Sequence, residues 1–136
     1  MKRITAFILV IVMLFSVSAS ASSATVGLRY THISQGYSRL TINKSTGTAQ
    51  CYALCSTHNS TDSIIIFGSL ERLVGGAWSS VNSWTSTGTS IAIMNKTQHV
   101  SSGYTYRFVA NVKIYSSSGS FLETATFYQY CDYIAP

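Results

Sequence analysis

Charged residues and prolines are both scarce in this sequence, and the scarcity of charge excludes a class of function. Only 10% of the 136 residues are charged, nine basic and four acidic, and they are scattered without a run of like charge. A dedicated nucleic-acid-binding protein needs a basic stripe or patch. We therefore expect no nucleic-acid partner. The single proline, Pro136, stands at the end of the sequence.

Catalytic motifs are also lacking. The sequence has no G-x-S-x-G, no H-E-x-x-H and no phosphate-binding loop. Catalysis by side chains needs paired carboxylates or a nucleophile beside an oriented base, and only four acidic residues are present. The histidines, His32, His58 and His99, fall near the ends of predicted strands, where a solvated loop histidine is expected. We predict that the protein is not an enzyme, with no catalytic residues and no cofactor.

Only one long hydrophobic run occurs, and it lies near the start. Lys2 and Arg3 precede ten apolar residues, 6–15, and small residues follow at Ala19 and Ala21. A basic head, a short apolar run and an A-x-A site are typical of a secretory signal peptide, whereas a membrane-spanning helix needs about 20 apolar residues. We predict a secreted, extracellular protein.

The predicted cleavage point lies after Ala21, with Ala19 and Ala24 as alternatives. Residues 1–21 then form the signal peptide, and residues 22–136 have the size of a single small domain. This mature chain keeps seven basic and four acidic residues. Its mild positive excess favours an anionic cell wall or membrane surface, but we expect no membrane insertion of the mature chain.

What the sequence does contain in quantity is serine, threonine and tyrosine. Serine and threonine together make up 38 residues, and tyrosine adds nine. The clearest pattern is "YTYRFVANVKIY", residues 104–115, where apolar and polar side chains alternate as in a strand with one buried face. A turn at 116–119 and a returning run complete a hairpin, with Phe121, Ala125, Phe127 and Cys131 in phase on one face.

The same pattern of strand-like segments separated by turn residues recurs along the rest of the chain. Residues 25–36 are predicted to add an edge strand or a loose arm. Seven strands with turn signals every 8–12 residues favour an all-β fold, an antiparallel immunoglobulin/fibronectin-like β-sandwich. The other predicted strands are 38–42, 48–57, 63–73, 77–85 and 89–95.

The three cysteines raise the question of a disulfide. Cys51 and Cys55 lie four residues apart on one strand, about 13 Å between α-carbons, which is too far for a bond between them. Strand order in an immunoglobulin-like sandwich favours Cys51–Cys131, with Cys55–Cys131 as the alternative. With the favoured bond, Cys55 is then either a small buried thiol beside Ala53 or the site of a disulfide-linked homodimer.

A metal site is a weaker interpretation of the same residues. Cys51, Cys55, His58 and Cys131 could be imagined as four ligands, but structural zinc sites usually offer closely spaced pairs on turns. We predict no metal.

Two tryptophans supply the main candidate for binding. Trp78 and Trp84 are six residues apart, so they are predicted to share one face of a strand. If that face is buried, they are core residues. If Val81 faces inward instead, they form an exposed stripe suited to a sugar or a partner surface. The tyrosines that could extend this stripe are Tyr37, Tyr115, Tyr128 and Tyr130.

Three N-x-S/T sequences occur, at Asn43, Asn59 and Asn95. In a eukaryotic secreted protein they would accept glycans. In a chain so rich in serine and threonine they arise by chance, and we interpret all three asparagines as turn residues.

Two long stretches, "AWSSVNSWTSTG" and "GYTYRFVANVKIYSSSGSFLETATFY", resemble a family of small secreted Gram-positive bacterial proteins known only as a domain of unknown function. The resemblance runs from about Thr31 onward, by the positions of these motifs. It implies a β-sandwich and a bacterial source, and it implies no activity.

Together these features favour a secreted, non-enzymatic binding or interaction module that contacts a cell-envelope glycan or a surface protein. A small secreted antimicrobial or toxin-like protein is the alternative, although no amphipathic membrane-active segment is present. A structural matrix or coat protein is the third option.

Overall fold

The computed structural model describes residues 30–134, which form seven antiparallel strands. The predicted signal peptide, 1–21, and the first part of the predicted arm lie outside these residues. The strands are β1 (Ile33–Asn43), β2 (Thr48–Thr57), β3 (Ser63–Val74), β4 (Ala77–Thr89), β5 (Ile91–His99), β6 (Tyr104–Tyr115) and β7 (Phe121–Tyr133).

The strands form two sheets, one of three strands in the order β1-β2-β5 and one of four in the order β4-β3-β6-β7. The two sheets lie face to face around a shared core. The fourth strand joins the sheet of the third, sixth and seventh strands, as the added strands of variable-type immunoglobulin domains do. The predicted all-β sandwich is therefore confirmed, and each predicted strand corresponds to an observed one.

The inner faces follow from the alternation seen in the sequence. In β6, Tyr106, Phe108, Ala110, Val112 and Ile114 are all fully buried, as the period of two predicts. β2 presents only small side chains to the core. These are Ala49, Cys51, Ala53 and Cys55.

Small residues on one sheet make room for large ones on the other. Gly68 of β3 shows how close this packing is. A β-carbon built there would overlap the Met94 sulfur and lie 2.9 Å from the Phe108 ring. A larger residue at position 68 would therefore force two side chains to move, Met94 of the opposite sheet and Phe108 of the neighbouring strand.

Residues that fall out of alternation lie at β-bulges. The pairing of β6 with β7 shifts between Ile114 and Tyr115, which leaves Leu122 as an extra residue in β7. One extra residue reverses the face of everything beyond it. Phe121 is therefore 56% exposed beside Tyr115, and the prediction that it shares the buried face of Ala125 is wrong.

A carboxylate holds the start of β1 against β7. Glu123 accepts hydrogen bonds from the backbone N–H groups of Thr31, His32 and Ile33, at 2.8, 3.1 and 3.1 Å. Burial alone would raise the pKa of the Glu123 carboxyl, but these three donors lower it. The predicted arm is thus fixed at its C-terminal end, and its last residues belong to β1.

A buried tyrosine closes the opposite end of the sandwich. The hydroxyl of Tyr106, near the start of β6, donates to the backbone oxygen of Ser101 at 2.5 Å. This is the tyrosine corner of immunoglobulin-like sandwiches, in which a tyrosine early in the sixth strand bonds to the backbone a few residues upstream. It ties the β5–β6 connection to the core.

In residues 30–134 no helix has the length and apolar character needed to cross a membrane.

We expect Tyr106→Phe to lower the free energy of unfolding by about 1 kcal/mol, because it leaves the Ser101 oxygen without its buried donor. Chemical denaturation followed by tryptophan fluorescence measures this. Tyr104→Phe, which removes a hydroxyl from the same end of β6, serves as the control. Equal stability of wild type and Tyr106→Phe would show that the corner bond contributes nothing.

We expect Glu123→Gln to lower the free energy of unfolding by about 1–3 kcal/mol near neutral pH, because it weakens three charge-assisted bonds. Since folding lowers the pKa of Glu123, its stabilisation is present above the unfolded value of 4.5 and is lost as the pH falls through the folded value. The difference between wild type and Glu123→Gln should therefore shrink below pH 4.5. Asp132→Asn, on the same strand but exposed, is the control. If the difference in free energy of unfolding did not change with pH, the charge of Glu123 would not be the source of the stabilisation.

Candidate functional site

A β-bulge separates the two tryptophans. The pairing of β3 with β4 shifts between Leu70 and Glu71, so that Leu70 pairs with Asn82 and Glu71 pairs with Ser80. Val81 is the extra residue. Because one inserted residue reverses the faces of the strand, Trp78 and Trp84 lie on opposite faces despite their even spacing. The prediction that they share a face is therefore wrong.

Trp84 faces the core. It pairs with Gly68 on the inner face, and it packs against the buried cluster. Trp84 is therefore a structural residue.

Trp78 lies on the outer face of the four-stranded sheet, where it meets Arg107. The guanidinium carbon of Arg107 lies 4.3 Å from the centroid of the Trp78 ring and 5.8 Å from that of Tyr128. The ring of Tyr130 lies 5.9 Å from that of Trp78. Cation–π contacts at these distances hold the rings around a central charge. We call these four residues, Trp78, Arg107, Tyr128 and Tyr130, the Arg107 surface.

A salt bridge orients the central arginine. Arg107 donates to the Glu71 carboxylate at 2.9 Å, and both side chains are about four-fifths buried. Burial alone would lower the pKa of Arg107, but the bond to Glu71 raises it. The guanidinium plane is thus held by one carboxylate while its faces remain available to the aromatic rings.

The Arg107 surface is open to solvent on the side of β7. Tyr128 is 49% and Tyr130 59% exposed. Both lie opposite β6, where Arg107 pairs with Tyr130 and Val109 with Tyr128. The structure thus brings three of the six predicted binding residues together.

Tyr115 and Tyr37 lie elsewhere. Tyr115 is on the same outer face, but eight residues from Arg107 along β6, about 26 Å away, where it meets Phe121 edge to face. Tyr37 is on the outer face of the other sheet, stacked on Tyr52 at 5.9 Å. Neither extends the Arg107 surface.

Sequence reasoning missed Arg107 and Glu71. Arg107 stands on the polar side of the alternating run 104–115, so its outward direction was predictable. Its partner was not, because Glu71 lies 36 residues away and is joined to it only by the pairing of β3 with β6.

No disulfide is formed, and the predicted Cys51–Cys131 bond is wrong. All three cysteines are free. Cys51 and Cys55 lie in β2, in the middle of one sheet, whereas Cys131 lies in β7, at the edge of the other. No α-carbon of β2 comes within 8 Å of one of β7, and a disulfide needs about 4.4–6.8 Å. The alternative Cys55–Cys131 bond is excluded for the same reason.

The two β2 cysteines are small core residues. Both are fully buried, and burial raises the pKa of the Cys51 thiol to about 12 and that of Cys55 to about 11. The nearby Glu123 carboxylate contributes to the second shift. The interpretation of Cys55 as a buried thiol beside Ala53 is confirmed. A homodimer bond through Cys55 would require the sandwich to open, so only the partly exposed Cys131 could form one.

The residues imagined as zinc ligands are not brought together, because Cys131 belongs to the other sheet. Across residues 30–134 no three His, Cys, Asp or Glu side chains lie close enough to hold a metal ion.

Two of the three sequon asparagines are turn residues. The Asn43 side chain accepts the backbone N–H of Ser45, and that of Asn59 accepts the N–H of Thr61. Asn95, however, lies within β5 and pairs with Tyr52. The prediction of a turn at Asn95 is wrong, because the strand continues four residues beyond it, to His99.

A scan against protein-family models finds no match to the chain, and a search of curated proteins finds no match either. The resemblance to the Gram-positive family therefore stays a prediction.

We expect one fast-reacting thiol in the folded protein. Iodoacetamide near pH 8 should modify Cys131 within minutes, while burial and raised pKa values should slow Cys51 and Cys55 by about tenfold or more. Peptide mass spectrometry reads the three sites, and denaturant should make all three reactive. Cys131→Ser should leave no fast thiol. Rapid native labelling of Cys51, or a mass two hydrogens lower without reductant, would contradict the assignment.

Proposed function

We propose that the protein is a secreted, non-enzymatic binding module that uses the Arg107 surface to hold a cell-envelope glycan. The observation that carries the proposal is the arrangement of Trp78, Tyr128 and Tyr130 around one guanidinium on an open sheet face. Secretion rests on the signal-peptide pattern of residues 1–21.

The composition of the Arg107 surface is that of a binding hot spot. Tryptophan, tyrosine and arginine dominate the binding energy of known interfaces. Aromatic rings expose flat apolar faces with polar tips, which suit the alternating C–H and hydroxyl groups of a sugar ring. These features support a ligand that stacks on the rings.

The rigidity of the surface supports binding further. Arg107 is held by Glu71 at 2.9 Å, and it holds Trp78 in turn at 4.3 Å. Side chains fixed before binding lose little conformational entropy when a ligand arrives. Because the charges of Arg107 and Glu71 compensate, the surface favours a neutral ligand.

The structural roles of the acidic side chains support a non-enzymatic function. Glu71 pairs with Arg107, Glu123 holds backbone N–H groups, and Asp132 accepts the hydroxyl of Thr105 at 2.7 Å. Asp62 is buried at the end of the β2–β3 loop. Carboxylates placed singly in this way do not offer the facing pair that acid–base chemistry on glycans needs.

We expect the purified protein to be retained on bacterial cells when the cells are pelleted, and to leave colony counts unchanged. Trp78→Ala and Tyr130→Ala should each lower retention by about tenfold or more, since hot-spot truncations cost at least about 2 kcal/mol. Tyr115→Ala, an aromatic truncation on the same face but outside the Arg107 surface, is the matched control and should bind normally.

Two further measurements, on protease-treated cells and on purified cell wall, distinguish a glycan ligand from a surface-protein partner. Retention should survive protease treatment of the cells and should also be seen on purified cell wall. Loss after protease treatment would assign a surface protein as the partner. Cell killing would favour a toxin-like protein. Absence of retention, or retention unaffected by Trp78→Ala, would overturn the proposal.

A further inference from the structure

The outer face of the three-stranded sheet carries a polar cleft. Its volume is about 310 Å³, within the range of small-molecule sites. The cleft is on the opposite side of the molecule from the Arg107 surface, because the two lie on the outer faces of different sheets. Its lining residues are Tyr37, Arg39, Thr41, Gln50, Tyr52 and Asn95.

Strand register explains why these residues meet. Arg39 of β1 pairs with Tyr52 of β2, which pairs with Asn95 of β5, so the three form one row across the sheet. Tyr37 stands diagonally beside Tyr52, and their rings stack at 5.9 Å with 30° between their planes. The cleft therefore rests on the backbone pairing of three strands and does not depend on a loop.

Arg39 provides a positive charge that no residue between 30 and 134 neutralises through a salt bridge. Its guanidinium carbon lies 6.0 Å from the centre of the Tyr52 ring. In the described part of the chain the single salt bridge joins Arg107 to Glu71, so Arg39 has no carboxylate partner there. A guanidinium held over an aromatic ring offers a fork of N–H donors that matches a carboxylate.

The charge of the whole face is positive or neutral. None of the four acidic residues, Asp62, Glu71, Glu123 and Asp132, belongs to the strands β1, β2 and β5 that form it. An anion approaching Arg39 meets no repulsion from its own face.

Neutral donors and acceptors surround the charge. The side-chain amide of Gln50 donates to the Asn95 oxygen at 3.1 Å. This leaves the Gln50 oxygen as an acceptor and the Asn95 nitrogen as a donor, a pair suited to neighbouring hydroxyl groups. Thr41 adds a hydroxyl that can donate or accept a hydrogen bond.

We infer that this cleft, defined by Arg39, Tyr52, Gln50 and Asn95, binds a saccharide that carries a carboxylate, such as a uronic acid or muramic acid residue. Arg39 binds the carboxylate, and the stacked tyrosines pack against the C–H face of the sugar ring. The side-chain amides of Gln50 and Asn95 form hydrogen bonds with the hydroxyl groups. A neutral sugar would leave Arg39 without an anion, and an acidic peptide would leave the amide pair without hydroxyls.

Binding is measured by isothermal titration calorimetry with three probes, trigalacturonate, a hyaluronan tetrasaccharide and N-acetylmuramic acid. We expect at least one to saturate. Its methyl ester, which keeps the rings and removes the charge, should bind about tenfold or more weakly, since a charge-assisted bond contributes about 1.5–3 kcal/mol. Triglutamate, which keeps carboxylates without sugar rings, should bind no better than the ester.

Variants locate the site. Arg39→Gln and Tyr52→Ala should each weaken binding by about tenfold or more. Trp78→Ala, on the opposite face, should not change it, which keeps this test separate from that of the Arg107 surface. Thermal melting of Arg39→Gln should match wild type, because Arg39 is exposed.

Three results would overturn the inference. One is that none of the three probes saturates up to about 10 mM. Another is that Arg39→Gln binds as well as wild type. The third is that triglutamate competes as strongly as the saccharide, which would assign the cleft to an acidic peptide.

Discussion

The period of two along each β-strand underlies the core and both outer faces of this sandwich. It decides which side chains enter the core and which form the outer faces, and a single extra residue reverses the assignment. Three such residues, Ser34, Val81 and Leu122, lie opposite uninterrupted stretches of their partner strands. Without the bulge at Val81, Trp78 could not reach Arg107, and the Arg107 surface would not exist.

The core is built from small side chains on β2 and large side chains on the facing sheet. β2 contributes alanines and cysteines, while β3 and β6 contribute Ile66, Leu70 and Phe108, among others. The space left by the small side chains is filled by the large ones, so that Gly68 cannot accept even a methyl group without displacing Met94. This division explains why two cysteines occur in β2 without a disulfide, since each acts as a small apolar side chain in a core strand.

Hydrogen bonds of polar side chains stabilise the two ends of the sandwich, where apolar packing contributes less. Glu123 fastens the start of β1 through three backbone donors, and Tyr106 fastens the β5–β6 connection. The two outer faces that this frame supports differ in charge. On one, Arg107 is neutralised by Glu71, and on the other, Arg39 has no carboxylate partner among residues 30–134. We therefore propose ligands of different charge for the two faces.

The sequence alone predicts the number of strands, most of their bounds and the buried face of β6, because alternation and turn residues are local signals. It also indicates the direction of Arg107 and the place of Cys55 in the core. The pairing of the strands depends on the whole fold, and so do the face of Trp78, the exposure of Phe121 and the distance between Cys51 and Cys131. The physical reason is that a bulge and a sheet order are properties of two strands together. The hydrogen bonds that set them join residues far apart in the chain, such as Glu71 and Arg107, so no single stretch of sequence contains the information.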